Sequence, residues 1–415
     1  MLKKLDLQAV YSEFESAFRN IVRQYRRSLF GISAVAFGVI ALLLTAGFVE
    51  WIFWAAREGA IESGLGHIHI MRPGYLENGQ SDPYKYLMPE NSATISAIEK
   101  LPSVRTAAPR IGFNGLISHG ETTLSFLGEG VNLEKERVLS PSLLVTEGQD
   151  PAPDEAKSIF LGRGLAENLG VVVGDQVVLM ATTPKGGFSA VEAKVRGLFT
   201  TVSKAYDDSA LRVSLPLAQK LLRVSGIHAS IIVLDDTAKT ADMLLTLRSD
   251  FKDEGIQFVP WYDMADFYNK TVTLLSRQVM VVELIIAAVI VLSISNTMTM
   301  NVLERTSEIG TCLAIGRRRR QILRQFLFEG LSIGLIGGAL GVALGWLLSI
   351  VISRVGIPMP PPPGMSEGYS GAIMLTSRLA VEAFVLALGT TLLASVYPAW
   401  RASRMEIVDA LRHNR

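Results

Sequence analysis

The sequence predicts an α-helical membrane protein with four transmembrane helices and a mixed α/β domain on the outer side. Three observations predict it. Four apolar runs each exceed the roughly 20 residues that a helix needs to cross a hydrocarbon core. Apolar residues make up 49% of the 415-residue chain against 19% charged, and mean hydropathy is +0.32. The basic residues gather in short segments beside the runs, all on one side of a four-span topology. A net charge of +1 excludes a nucleic-acid binder, which needs a basic surplus to displace counterions. The single cysteine, Cys312, excludes an intramolecular disulfide and a cysteine-cluster metal site.

Residues 1–27 carry Leu7, Val10, Tyr11, Phe14, Phe18, Ile21, Val22 and Tyr25 at helical spacing among polar positions, which predicts an amphipathic helix in the cytoplasmic interface. The first span, 28–56, holds Glu50 as its only charge. Its length, with Glu50, Trp51 and Trp54 where a cleavage site would lie, predicts a retained anchor. Residues 57–278 contain 27 acidic and 22 basic residues and form the outer α/β domain. Ile159 to Leu161, Gln176 to Met180, Ala193 to Leu198, Ala229 to Leu234 and Gln257 to Pro260 read as strands. Gly164 to Leu169 and Thr240 to Glu254 read as helices. Glu147 to Asp154, with Pro151 and Pro153, reads as an exposed loop or a boundary between two lobes.

The second span is 279–303, interrupted by Glu283, and a cytoplasmic segment, 304–325, follows it. The third span, 326–355, carries Glu329 near one end and a stripe of Gly330, Gly334, Gly337, Gly338, Gly341 and Gly345. Such a stripe lets helices approach closely, within one subunit or between two. An outer loop, 356–378, holds Pro360 to Pro363, which favour a stiff polyproline brace or a plain spacer. The fourth span is 379–400, and 401–415 is a basic tail. Both termini are expected in the cytoplasm.

Catalytic signals are sparse. No Gly-Lys dipeptide occurs, so the chain has no phosphate-cradling Walker loop. His67 and His69 share a strand face and could chelate a metal, although without further ligands the favoured reading is two polar residues on an exposed face. We expect no catalytic, cofactor or metal site in this chain. In 304–325, Ile309, Leu313, Ala314 and Ile315 recur at near-helical spacing, which predicts a short helix along the cytoplasmic face that docks on a partner. The arginines from Arg317 to Arg320 read as an ordinary positive-inside anchor.

The block Glu304-Arg305-Thr306-Ser307-Glu308-Ile309-Gly310, with Leu313-Ala314-Ile315-Gly316 and Arg320-Gln321-Ile322, resembles the cytoplasmic signature of MacB/FtsX-type ABC transporter permeases. Ala17-Phe18-Arg19-Asn20, the glycine-rich third span, Tyr397 to Arg404 and Ala410-Leu411-Arg412 are similar to the same family. In the outer domain, Leu161 to Ala166, Leu169 to Asp175, Gly197-Leu198-Phe199, Tyr206-Asp207 and Leu215 to Gln219 resemble the Lol-type lipoprotein-releasing permeases.

That resemblance implies a bacterial inner-membrane permease with its large domain in the periplasm. It implies a partnership with a second permease copy or paralogue and with two separate ABC ATPase subunits, which would hold ATP and Mg. Glu308, Ile309, Gly310, Leu313, Ala314, Ile315, Gly316 and Arg317 become the expected coupling residues. The implied work is mechanotransmission: extraction of a lipoprotein or lipid-like substrate from the outer leaflet toward a periplasmic carrier or adaptor. An acyl chain would need an apolar cleft at that depth, for which Leu44, Phe48, Trp51 and Ile52 on the first span and Met280, Leu284 and Ile285 on the second are candidates. Each CH₂ kept from water is worth about 0.8 kcal/mol. The alternatives are MacB-type efflux of a drug, peptide or toxin in a tripartite pump, and an FtsX-like regulator of a cell-wall hydrolase that transports nothing.

Overall fold

The computed structural model describes residues 19, 20, 23, 25–79, 81–90, 92–141, 143–149, 157–201, 204–252, 255–360, 368–407 and 410. The expected interfacial helix therefore lies almost entirely outside the described residues, as do 361–363 of the proline run. The chain divides into two compact units: one of 1–53, 271–358 and 370–415, the other of 54–270 and 359–369.

The first unit is helical. Its elements are α1 (Tyr25–Ala60), α2 (Asp266–Glu304), α3 (Thr306–Ala314), α4 (Arg319–Val355) and α5 (Ser377–Ser403). α1, α2, α4 and α5 are each long and apolar enough to cross a membrane. In lipid there is little hydrophobic drive for helices to associate, so close packing of small residues must hold them together. The glycine stripe of α4 does this on two sides. A Cβ on Gly337 would lie 2.9 Å from the Ile32 carbonyl oxygen and 2.8 Å from Val35 Cβ. At Gly341 it would lie 2.9 Å from the Ala36 carbonyl oxygen and 2.6 Å from Val39 Cβ, and at Gly345 2.9 Å from Leu43 Cδ1. These three glycines seat α1. Gly330, Gly334 and Gly338 seat α5, against Ser395, Thr391 and Phe384. The chain's own helices thus fill the stripe. α1 meets α2 at Gly31, opposite Ile294, and at Gly38, opposite Ile290 and Ile286.

The second unit holds ten strands: β1 (Ile68–Met71), β2 (Val104–His119), β3 (Thr122–Val131), β4 (Leu144–Gly148), β5 (Ser158–Gly162), β6 (Gln176–Thr182), β7 (Phe188–Thr200), β8 (Ala210–Ser214), β9 (Ala229–Leu234) and β10 (Gln257–Pro260). Their pairings trace a closed circuit, β2–β3–β8–β5–β7–β6 and back to β2. The long strands β2 and β7 close the ring by changing partners along their length. The first half of β2 leaves the ring to pair with β9, which leads on to β1 and β10. The far end of β7 pairs with β4. Ile117, Phe126, Leu179, Val195, Leu211 and Val213 are buried in one apolar core.

The expected strands are present. The helix expected from Gly164 spans Arg163–Leu169 and ends at Gly170, whose φ of 74° suits glycine. Two expectations are corrected. The helix expected to Glu254 stops at Asp250. The stretch expected to open a loop at Glu147 is still strand as far as Gly148, and 150–156 lie outside the described residues.

Charge is buried beside the ring. Arg110 bonds Glu136 at 2.6 Å and Glu129 at 3.4 Å, while Arg212 reaches the same two carboxylates at 3.0 and 3.1 Å. These groups join β2, β3 and β8 to the helix Leu133–Leu139, and Arg110 also donates to the Gly64 carbonyl at 2.9 Å. Burial raises the Glu129 pKa, but the two guanidinium groups overcome it and hold the carboxyl below its ordinary value.

The histidines do not converge on a metal. His67 Nδ1 accepts the Leu234 N–H at 3.1 Å, so its proton sits on Nε2, which donates to Thr237 Oγ1 at 3.1 Å; that hydroxyl donates to Glu58 at 2.9 Å. His69 Nε2 donates to the Leu65 carbonyl at 2.6 Å. Among the described residues no group of three or more His, Cys, Asp or Glu is placed to hold a metal ion.

Two predictions follow from this packing. Gly341→Leu should force α1 from α4 and cost about 1–3 kcal/mol, as overpacking does. The thermal midpoint of the detergent-solubilised chain should fall by several degrees. It should hold for Gly389→Ala, because a Cβ there meets nothing within 4 Å. The second prediction concerns pH. Burial lowers the pKa of His69 and of His228 to about 4, against an unfolded value near 6.5. The unfolded chain then binds more protons between pH 6.5 and 4, so stability is full above 6.5 and is lost as pH falls through that window, by up to about 3 kcal/mol per histidine. Amide exchange of β9 at increasing urea should show this loss between pH 7 and 4.5. A flat profile would refute it.

Candidate functional site

A short helix stands where a docking helix was expected: α3, nine residues between two of the long helices. Its composition decides which way it faces. Thr306, Ile309, Gly310 and Leu313 recur at three- and four-residue intervals and make one buried face. Glu308, Thr311, Ala314 and Ile315 fall on the exposed side. Gly316, at φ 100°, ends the helix in a conformation that suits glycine, and Arg318 begins the turn into α4.

We expected Ile309 and Leu313 among the docking contacts. Their side chains instead join the apolar core of their own unit, only 5% and 9% exposed, and Gly310 packs on Ala410. The reason is that the face with the tightest apolar spacing is needed to hold a nine-residue helix in place. What remains outward is Ile315, 83% exposed, with Ala314, Thr311 and Glu308 beside it. Arg317, expected at the rim of a partner's groove, donates to Gln325 Oε1 at 3.0 Å.

Beneath α3 lies a buried ion pair. Arg305, in the turn between α2 and α3, donates from Nη1 to Glu329 Oε1 of α4 at 2.7 Å. Arg305 is 7% exposed and Glu329 3%. Asn20 Nδ2 donates to the same Glu329 oxygen at 3.0 Å, and Arg305 Nε donates to Glu308 Oε2 at 3.3 Å. The Arg305 guanidinium also lies 5.4 Å over the Phe326 ring. Outside this centre, Arg23 bonds both Glu308 oxygens at 3.1 Å and Arg27 pairs with Glu304. Arg23 and Glu308 are both more than half exposed, so their pair contributes little.

Sequence reasoning quoted Arg305 within a motif and Glu329 as a stray charge in a span, but did not join them. One signal was available: a carboxylate inside an apolar run must find a cation or a wet cavity.

The residues expected to line an acyl cleft differ in exposure. On α1, Trp51 is 8% exposed and stacks on Phe48 at 6.1 Å, while Leu44, Phe48 and Ile52 are half-buried. Phe48 also touches Gly371, and Gly47 accepts a hydrogen bond from Met374 N at 2.9 Å. On α2, Met280, Leu284 and Ile285 are 54%, 64% and 57% exposed.

Comparison with known proteins places these features in a family. Residues 28–247 match the MacB-like periplasmic core domain and residues 280–407 the FtsX-like permease C-terminal family. The lipoprotein-releasing system transmembrane protein LolC of Neisseria meningitidis serogroup B is 23% identical over 411 residues, covering 93% of this chain and 94% of that protein. The macrolide export ATP-binding/permease protein MacB of Shewanella sp. is 29% identical over 343 residues, covering 76% of this chain. The match covers 48% of that MacB, about half its length. Among solved structures, the periplasmic region of MacB from Actinobacillus actinomycetemcomitans aligns with a TM-score of 0.36 at 12% identity, over 51% of this chain and 94% of that one.

The buried pair makes a definite prediction. Glu329→Ala leaves Arg305 buried without its carboxylate, which costs about 3–5 kcal/mol. The thermal midpoint in detergent should drop well below that of the native chain. The double variant Arg305→Met/Glu329→Met should recover most of the loss, since it removes both charges. A double variant no better than the single one would show that the pair is not the source.

Proposed function

Because the chain belongs to the permeases that join a MacB-like periplasmic core domain to an FtsX-like C-terminal region, we propose that it extracts a lipoprotein or lipid-like substrate from the outer leaflet, driven by ATPase subunits that dock on α3. That it is an ABC transporter permease of LolC or MacB type rests on the two family matches and the relatives. The lipoprotein reading is favoured by the match to LolC, which runs over 93% of this chain and 94% of that protein.

The observation that carries the mechanism is the two-faced construction of α3. The turn that starts it is tied to α4 by the Arg305–Glu329 pair, its inner face packs in the core, and its outer side leads to the exposed Ile315. A partner pressing on the outer face would move α4, because the turn before α3 is held to it by a buried charge pair and only residues 315–318 separate the two helices. Movement then passes through the helices to the periplasmic unit without the substrate crossing the bilayer. Nucleotide and Mg belong to the ATPase in this scheme, and a second permease subunit completes the transporter. Acyl chains would meet the outward residues Met280, Leu284 and Ile285 of α2, whose flexible and branched side chains adapt to lipid.

MacB-type efflux remains the competing reading, since the Shewanella MacB is similar over 76% of this chain. Mass spectrometry of what copurifies from membranes separates them: an acylated protein supports extraction, while an adaptor with an outer-membrane channel supports efflux. A stable complex with a cell-wall hydrolase, with no acylated protein, would point to a regulator.

Docking is tested by two substitutions with different consequences. Ile315→Asp places a charge on the exposed face, so it should abolish ATPase copurification and leave the thermal midpoint unchanged. Leu313→Asp buries a charge in the chain's own core and should lower the midpoint by itself. Normal ATPase recovery with Ile315→Asp would remove α3 as the docking element.

A further inference from the structure

Where α4 begins and α5 ends, positive charge collects with no ion-pair partner among the described residues. Arg319 and Arg320 in the first turn of α4, with Arg404 just past α5, line a pocket of about 490 Å³ together with Leu323 and Ser403. The Arg404 guanidinium lies 4.8 Å over the Trp400 ring, a cation–π contact that fixes its direction. Among the described residues, none of the ion pairs within 4.0 Å engages Arg319, Arg320 or Arg404. Three like charges around one pocket repel one another. The first turn of α4 has no acidic residue either, although the start of a helix favours negative charge. Simple anchoring of a span does not require the charges to converge.

The position of the pocket indicates what neutralises it. α5 has 27 residues, hence a length of about 40 Å at 1.5 Å per residue, close to a bilayer with its headgroups. Trp400, 47% exposed, sits one turn before its end, at the level where tryptophans anchor in the interface. Ser403 and Arg404 therefore fall in the headgroup layer, with Leu323 supplying an apolar wall.

We propose that this pocket binds the phosphate of an anionic phospholipid headgroup. Arg319, Arg320 and Arg404 surround the phosphate oxygens, which accept hydrogen bonds from the guanidinium groups, while Leu323 lies against the glycerol and upper acyl carbons. The site is separate from the exposed face of α3.

The test uses the full chain in lipid nanodiscs of phosphatidylcholine, alone or mixed with phosphatidylglycerol, and native mass spectrometry of the lipid retained after detergent extraction. The native chain should keep phosphatidylglycerol in preference to phosphatidylcholine. Arg319→Gln/Arg320→Gln/Arg404→Gln should weaken that retention roughly 100-fold, from about fivefold per arginine. The corresponding triple lysine variant should keep most of it. Should the glutamine triple fail to fold, Arg404→Gln alone, with an expected loss of about fivefold, gives the reading. Four results would overturn the assignment. These are unchanged retention in the glutamine variants, equal retention of the neutral lipid, displacement of the lipid by inorganic phosphate, and loss of ATPase copurification with lipid retention intact. The third would indicate a pocket for a free anion, and the fourth a contact with the partner protein.

Discussion

A carboxylate inside an apolar helix must be neutralised, and the arrangement of the helical unit follows from how Glu329 meets that requirement. Arg305 can reach it only if the turn after α2 folds back on α4, and that fold-back places α3. With α3 placed, Ile309 and Leu313 turn into the core and Ile315 turns out. Replacing the pair by apolar side chains need not weaken such a unit; what the pair supplies is a single register, since each charge meets its partner only there. The same centre recruits Asn20 and Glu308, so the segment before α1 and the helix after α2 share one network.

The glycine stripe works by a different force. Dispersion between atoms in contact is weak singly and falls quickly with separation. Removing six side chains from α4 lets two neighbours approach at backbone distance. Arg305–Glu329 sets where along the helices the contact occurs, and the glycines set how close it is.

Much of this was legible in the sequence, for reasons that differ between regions. The spans were read from composition, because lipid imposes a length and a polarity on any helix that crosses it. Strands such as Gln176–Thr182 and Ala229–Leu234 declared themselves through alternation or continuous β-branched runs. β2 and β3 did not, although together they form the longest ladder of the ring. Pro109, Gly112, Gly115, Gly128 and Gly130 break their pattern, and the glycines answer to neighbours that are distant in sequence. A Cβ on Gly115 would strike the Phe126 ring and the Met180 carbonyl, and one on Gly130 would meet Ile111 Cγ2 at 2.6 Å. In α3 the periodicity showed that one face is apolar but not whether the chain or a partner covers it. Both answers produce the same spacing, and only tertiary structure separates them.

The pairing of β1 with β10 has a consequence for how such proteins are put together. Ile68 stands opposite Pro260 and Met71 opposite Gln257, so the strand that opens the periplasmic unit and the strand that nearly closes it are antiparallel neighbours. A unit whose ends meet behaves as a cassette: it can be spliced into the connection between two membrane helices without stretching that connection. The helical unit and the inserted domain can then change separately. Length or sequence can change in the inserted domain without lengthening the helices that carry it.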